Sequence, residues 1–481
     1  MDASATQHSQ TQIKVLPIMI AFLMSGFIGL FSETALNMAL ADLMREFEIR
    51  ETTVQWLTTG YLLVLGILVP VSGLLLQRFT TRQLFIAALS FSVVGTLIAA
   101  LSPTFTFLMG ARVIQAIGTG LLLPLMFNTI LLIFPPEKRG AAMGMIGLVI
   151  MFAPAVGPTI SGLIIEHLTW HWIFWISLPV LVFSLIFGII YMQNVSETKT
   201  IKLDALSIVL STIGFGGIVF GFSSAGEGDA GWLEPKVLIS IGIGVLFLIL
   251  FSLRQVSMDQ PMINLKVFKY PMFTIGLVMI FICMMVILSS MLLLPIYLQG
   301  GLVLTGFVAG LLLLPGGVVN GLISPVMGRL FDKYGPKWLV IPGFIIISVV
   351  LWFFTTINTA STTAFIIVLH TCLMIGVAMV MMPAQTNGLN QLPKQFYPDG
   401  TAVMNTLQQI AGAIGTAVAA SIMASGQKDY MATVKNPADP SVISASITAG
   451  TQQAFVFILT VAIIGFLGSL FIKRVNVKEV S

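Results

Sequence analysis

Fourteen mostly apolar runs follow one another along this chain, separated by short polar connections. An α-helix needs about 20 such residues to cross a hydrocarbon core about 30 Å thick. That core holds no water, so each run must satisfy its backbone N–H and C=O groups internally, and the helix does this. The predicted spans are 15–41, 54–76, 83–101, 106–133, 140–165, 172–192, 204–224, 236–254, 271–298, 304–327, 338–357, 363–386, 401–424 and 453–473. The longest polar connection is expected at 425–452, and none is long enough for a soluble domain.

Composition points the same way. Of 481 residues, 57% are hydrophobic and 9% charged, with a mean hydropathy of +1.00. A water-soluble domain carries about 25% charged residues, so this chain cannot clothe a globule in polar surface. The expected fold class is an all-α integral membrane protein whose surroundings are the lipid bilayer. Cys283 and Cys372 both fall inside apolar runs, where cysteine behaves as a small hydrophobe. The "ALA" at 39–41 resembles a signal cleavage site. The run before it exceeds the roughly 7–15 residues of a signal peptide, so the first span is expected to be retained.

The net charge of +4 raises the question of nucleic acid. Its basic residues are scattered singly or in pairs between apolar runs, which is the pattern of membrane topology instead. With both termini on the cytoplasmic side, 17 basic residues fall in inside segments and five outside (Arg45, Arg50, Lys236, Lys428 and Lys435). The excess of inside Lys and Arg predicts a multi-pass protein of the cell membrane with cytoplasmic termini. No nucleic-acid partner is expected, and a monomer is expected.

A short internal repeat divides the chain. "GLLLQRFTTR" (Gly73–Arg82) and "GRLFDKYGPK" (Gly328–Lys337) each follow a span, begin with Gly and carry a base five positions later. Their offset of 255 residues corresponds to eight spans, not six. The expected organisation is a cytoplasmic segment 1–14, a six-helix bundle 15–192, two inserted helices with linker 193–255, a second six-helix bundle 256–473 and a tail 474–481. Parallel repeats of this kind build transporters with a substrate site between the halves.

Among the 23 basic and 19 acidic residues, Glu33 and Arg112 alone lie well within a span. A charge at bilayer depth costs at least about 2.5–3.5 kcal/mol on insertion scales, so it faces a cavity or a partner. Gly26, Gly29, Glu33 and Asn37 are spaced to share one helical stripe. Glu33 either pairs with a polar group to fix helix packing or exchanges a proton during function. Arg112, Gln115 and Thr119 share a face of span 4. Arg112 either pins backbone carbonyls of a neighbour or holds Glu33 ionised in one state and releases it in another. In span 5, Gly144, Gly147, Gly157 and Gly162 permit close approach, while Pro154 and Pro158 permit bending. His370 is a further titratable group, in span 12. Met382 and Gln385 in span 12, Asn405 and Gln408 in span 13, and Asn37 and Gln115 are the candidate substrate contacts. Met-rich surfaces adapt to varied ligands.

No GxxxxGK[ST] or HExxH motif is present, so neither an ATP-driven pump nor a zinc hydrolase is expected. Neither a metal nor a cofactor is expected. A passive channel has no need of a buried titratable group, and a sensor would want a larger output segment than the eight residues after Lys473. Uphill transport would then be driven by an ion gradient, and a single carboxylate suits a proton.

These motifs resemble the major facilitator superfamily, and within it the fourteen-span drug:proton antiporters. Gly73–Arg82 and Gly328–Lys337 resemble the family's cytoplasmic gate motif; the resemblance implies gate roles for Gly73, Arg78, Arg82, Gly328, Asp332, Lys333 and Gly335. "RVIQAIGTG" (Arg112–Gly120) matches the span-4 motif associated with proton coupling, and "APAVGPTISG" (Ala153–Gly162) the span-5 antiporter motif with Pro154, Gly157, Pro158 and Gly162. "FSETALNMAL" (Phe31–Leu40) resembles the span-1 motif of that branch, "WLTTGYLLVLGILVP" and "WHWIFWISLP" fit as well, and the whole is similar to lincomycin-resistance-type exporters of Gram-positive bacteria. The sequence departs from the pattern at several points. Glu33 stands for the usual Asp, Gln77 for the acid of the first gate motif, Thr80 and Ser161 for glycines, and His171 and Ser177 for Arg and Asn. The resemblance implies proton-coupled efflux of amphipathic drugs such as lincosamides by alternating access, with Glu33 and Arg112 coupling the proton. An exporter of a native metabolite, an amino acid or lipid-like compound, is the alternative.

Overall fold

The computed structural model describes residues 15–196, 198, 204–225, 231–434 and 439–475. The segment 1–14, tail residues 476–481 and the basic residues Lys14, Lys199, Lys202, Lys435 and Lys478 used in the orientation argument lie outside the described residues. Among the described residues there are no strands, and 14 helices are long and apolar enough to cross a membrane.

The first group of spanning helices is α1 (Val15–Ala35), α2 (Trp56–Arg78), α3 (Thr81–Ala100), α4 (Phe105–Ile133), α5 (Arg139–His167) and α6 (His171–Tyr191). Two more follow, α7 (Ala205–Ala225) and α8 (Pro235–Ser257). The second group is α9 (Pro271–Ile296), α10 (Gly306–Tyr334), α11 (Lys337–Phe354), α12 (Thr363–Asn390), α13 (Tyr397–Ala432) and α14 (Pro440–Ser469).

Local chemistry sets the helix starts. Threonine hydroxyls accept the N–H of the third helical residue at Thr104, Thr305 and Thr362, and Thr80 forms a full capping box with Gln83. Thr80 stands where the gate motif has glycine, and here it caps α3. Proline occupies the first position of α8, α9 and α14, where its missing N–H costs nothing. Helix ends diverge most from expectation near the chain's end. The connection expected at 425–452 is largely helical: α13 runs on to Ala432 and α14 begins at Pro440. Hydropathy marks where a helix meets lipid. Backbone hydrogen bonds carry the helix further, through Gln427, Lys428 and Asp429. Span 1 also differs, because α1 gives way after Ala35 to a 3-10 turn (Leu36–Ala39) and a short helix at Leu40–Glu46.

The two groups pack by one pattern. In the first, α1 touches α4, α5 and α6, α4 packs on α2 and α3, and α3 packs on α6. In the second, α9 touches α12, α13 and α14, α12 packs on α10 and α11, and α11 packs on α14. The groups meet at two junctions related by the same correspondence, α5 against α10 and α2 against α13. Helix α7 lies against both α2 and α13, and α8 packs on α7. The α7–α8 contact is tight: a Cβ at Gly217 would lie 2.9 Å from the Ser240 carbonyl oxygen. At one end of the pair, Arg254 donates to Asp204 from Nε at 2.7 Å and Nη2 at 2.9 Å. The outward face of α8 is a band of exposed Leu238, Ile239, Ile243, Leu246, Ile249, Leu250 and Leu253, as lipid contact demands.

Candidate functional site

Arg112 is fully buried in α4, and its guanidinium is held by groups on α1, on α2 and on α4 itself. Nη1 donates to the Ser32 carbonyl on α1 at 2.9 Å and to Gln115 Oε1 at 3.2 Å, and Nε to the Leu57 carbonyl on α2 at 3.4 Å. The cation stacks over the Tyr61 ring, 4.1 Å from its centre. Desolvation strengthens such a contact to about 2 kcal/mol or more. Nη2 has no partner. A second tier continues the network. Tyr61 Oη donates to Thr119 Oγ1 at 2.8 Å, and Gln115 Nε2 to Thr96 Oγ1 at 2.9 Å. Gly29 on α1 admits Thr119: a Cβ there would sit 3.2 Å from its hydroxyl. Gly29, Ser32, Tyr61, Thr96, Gln115 and Thr119 line a small cavity together with Ile28 and Leu181.

Glu33 follows Ser32 directly and is half-buried. It lies within electrostatic reach of Arg112 and Tyr61 but makes no ion pair with Arg112 within 4 Å. Arg112 grips the backbone of α1 rather than its carboxylate. The stripe read from the sequence divides at this level. Gly26 and Gly29 are buried, against Met126 and Thr119 respectively. Asn37 falls beyond the end of α1, is exposed, and accepts a bond from Thr58 Oγ1 at 2.8 Å.

The other candidates lie elsewhere. Gln115 has both amide atoms engaged inside the first group. Met382 on α12 packs on α5, where a Cβ at Gly147 would be 2.7 Å from its Cγ. Gln385 is buried with both amide atoms unpartnered, and Gln408 Nε2 is likewise orphaned. Asn405 donates to the Thr401 carbonyl of its own helix at 2.8 Å. His370 is buried against Gly316 of α10, with Nδ1 unpartnered. Helix α5 runs unbroken through Pro154 and Pro158. Gly157 leaves room for Thr34 of α1, Gly162 lies near Met38, and Ser161 bonds the Gly157 carbonyl.

The gate motifs sit at the two junctions, at the end of the bundle where Arg474 lies. Across α5–α10, Asp332 accepts from Gly140 N–H at 2.8 Å and Ala141 N–H at 2.9 Å, the open donors at the start of α5. Gly328 and Gly140 meet backbone to backbone. Across α2–α13, Gly73 faces Ala402, and Gln77 Nε2 donates to Asp399 Oδ1 at 3.3 Å. Asp399 also accepts from Asn264 N–H at 2.9 Å. Of the remaining motif bases, Arg78 lies over the Phe79 ring, Lys333 over the Tyr334 ring, and Arg82 bonds the Ile189 carbonyl. Sequence reasoning missed Tyr61, Thr96 and Asp399, and it missed buried Arg139, which bonds Asn390 at 2.9 Å and faces the Tyr397 ring. Asp399 carried one signal, its place in the first turn of a helix, where an acid is favoured.

Comparison with known proteins agrees with this architecture. The family model described as Major Facilitator Superfamily matches residues 22–416. The chain is 72% identical over 479 residues, all of both chains, to lincomycin resistance protein LmrB of Bacillus subtilis (strain 168). It is 66% identical to the protein of that name from Listeria monocytogenes, over 96% of this chain and 98% of the other. Among solved structures, the proton:xylose symporter XylE superposes with a TM-score of 0.65 at 12% identity, over 96% of this chain and 97% of that one, a likeness of fold alone. The shared packing of two six-helix groups and the match along most of the sequence lead to one conclusion: the chain belongs to the Major Facilitator Superfamily.

Proposed function

We propose that this protein exports amphipathic drugs, lincosamides among them, by proton-coupled alternating access. The observation that carries the reading is the placement of Glu33: a carboxylate at bilayer depth, beside a buried Arg112, yet without an ion pair to it. A carboxylate in such a setting can change charge without first breaking a bonded pair. Arg112 holds α1 through Ser32 and α2 through Leu57 whichever charge Glu33 carries. Similarity to the lincomycin resistance proteins supports the drug class.

On this reading the end bearing Arg474 is cytoplasmic, and the Asp332 and Gln77 contacts close the cytoplasmic gate. Protonation of Glu33 from outside permits the return step; loss of that proton inside accompanies substrate capture. The orphaned amides of Gln385 and Gln408 are the groups that a drug's hydrogen-bonding atoms would satisfy once the halves part.

The test is accumulation of lincosamides, macrolides, puromycin and cationic dyes in efflux-deficient cells. Wild type is expected to lower accumulation of the lincosamides, and Glu33→Gln to abolish that effect. Equal export by both would remove Glu33 from the coupling step. If neither exports any compound, a native metabolite becomes the leading cargo.

A further inference from the structure

After α14 the chain turns back across the end of the second group. Asn387 on α12 donates from Nδ2 to the Lys473 carbonyl at 2.9 Å and accepts from Val475 N–H at 3.2 Å. One side-chain amide thus grips the backbone on both sides of Arg474. The Arg474 fork reaches the last turn of α10, with Nη2 donating to the Asp332 carbonyl at 2.7 Å and Nη1 to the Lys333 carbonyl at 3.3 Å. Carbonyls at a helix end have no partner within the helix, and a cation there is favoured by their dipoles. Its stem crosses Gly335, which adopts φ +82°; a Cβ there would lie 3.0 Å from Arg474 Cδ. Glycine serves both the backbone turn and the room above it.

The residue whose carbonyl Arg474 holds is the residue whose carboxylate clamps α5. Asp332 is gripped from behind by the tail and grips Gly140 and Ala141 in front. Two bonds from one carboxylate to successive N–H groups require a fixed turn, because hydrogen bonds weaken steeply with misalignment. A helix end without its cap frays. Arg474 therefore does more than complete α10, since the turn it fixes carries the contact between the two halves.

We propose that Arg474, locked by Asn387, is a positioning residue for the Asp332 clamp, and that residues Lys473–Val475 thereby bias the protein toward the conformation shut at this end. The proposal rests on the alternating-access reading. It is tested on conformation instead of transport, so the two can fail separately.

The experiment uses the full chain in lipid nanodiscs, with spin labels at the exposed positions Lys138 and Arg329. The separation of α5 and α10 is read as a distance distribution. Arg474→Ala is expected to raise the separated population about three- to tenfold, the scale of one lost intramolecular hydrogen bond. Asn387→Leu should raise it in the same direction, and serves if Arg474→Ala does not fold. Arg474→Lys, which keeps the charge but not the fork, should restore part of the shut population. In an Asp332→Asn background, Arg474→Ala should add little, because the clamp it positions is already weakened. An unchanged distribution in Arg474→Ala overturns the proposal. So does an equal shift with and without Asp332, which would make Arg474 an independent cap.

Discussion

The two junctions between the halves occupy equivalent places in the repeat but are held differently. At α5–α10 a carboxylate crosses the boundary and takes two N–H groups of the facing helix, while Gly140 and Gly328 bring the backbones together. At α2–α13 the charge stays on the far side. Asp399 sits in the first turn of its own helix, and a neutral amide, Gln77, reaches across to it at 3.3 Å. Both contacts end on a carboxylate and so are charge-assisted; they differ in geometry, with bonds of 2.8 and 2.9 Å to Asp332 at the first junction and 3.3 Å from Gln77 to Asp399 at the second. The second junction is also flanked by one of the two inserted helices, α7, which packs on both of its members. A Cβ at Gly66 of α2 would lie 2.9 Å from Val219 of α7. Gln77 stands where the gate motif has an acid; the carboxylate of this contact lies instead on Asp399 across the junction, and α7 packs on both helices.

The largest difference is expected from paired glycine substitutions. Gly328→Ala drives a methyl into the Gly140 backbone, which cannot step aside, whereas Gly73→Ala meets a methyl of Ala402 at 3.0 Å. Overpacking costs about 1–3 kcal/mol, with the backbone clash at the upper end. Distances between labels at Lys138 and Arg329 should lengthen in Gly328→Ala. Distances between labels at Phe79 and Gln395 should change little in Gly73→Ala, and equal responses would erase the distinction.

A smaller effect tests the displaced charge. Gln77→Glu sets a second carboxylate against Asp399 and should open α2–α13 by about 1 kcal/mol, a few-fold in population. Adding Asp399→Asn should close it again, since the pair is then an amide and a carboxylate in exchanged positions. Failure of that rescue, read by the Phe79–Gln395 distance, would separate Asp399 from the junction.

The smallest effect concerns the α7–α8 buttress. The Arg254 fork and the Ser207 hydroxyl hold the Asp204 carboxyl below the usual carboxylate range. A depressed folded value means the contribution is complete above the unfolded pKa of about 4. It is lost progressively as the pH falls from there through the lower folded value. Hydrogen exchange in the first turns of α7, corrected for intrinsic rate, should therefore be unchanged between pH 7 and 5 and faster at pH 3. Asp204→Asn should flatten that profile.

Much of the architecture was legible in the sequence because hydropathy is a property of each run alone. The number of spans, their order and the exceptional positions of Glu33 and Arg112 all follow from counting. The pairing of those two charges did not follow. Whether Arg112 meets the Glu33 carboxylate or the Ser32 carbonyl depends on helix rotation and depth, set by contacts such as Gly29 on Thr119. The end of α13 was misjudged because its last turns are polar but still helical.

The sequence by itself determined that this chain must live in a membrane as fourteen helices, because the backbone must be satisfied without water and runs of about 20 residues suit helices, not the roughly 10-residue strands of a barrel. It also marked the glycine-led repeats at residues 73 and 328. Only the tertiary structure decided whom the polar groups meet. Gln77 finds Asp399 322 residues away, and Asp332 finds Gly140 192 residues away. Such partners are chosen by which helix faces come together, and a face becomes a neighbour only when the two halves pack.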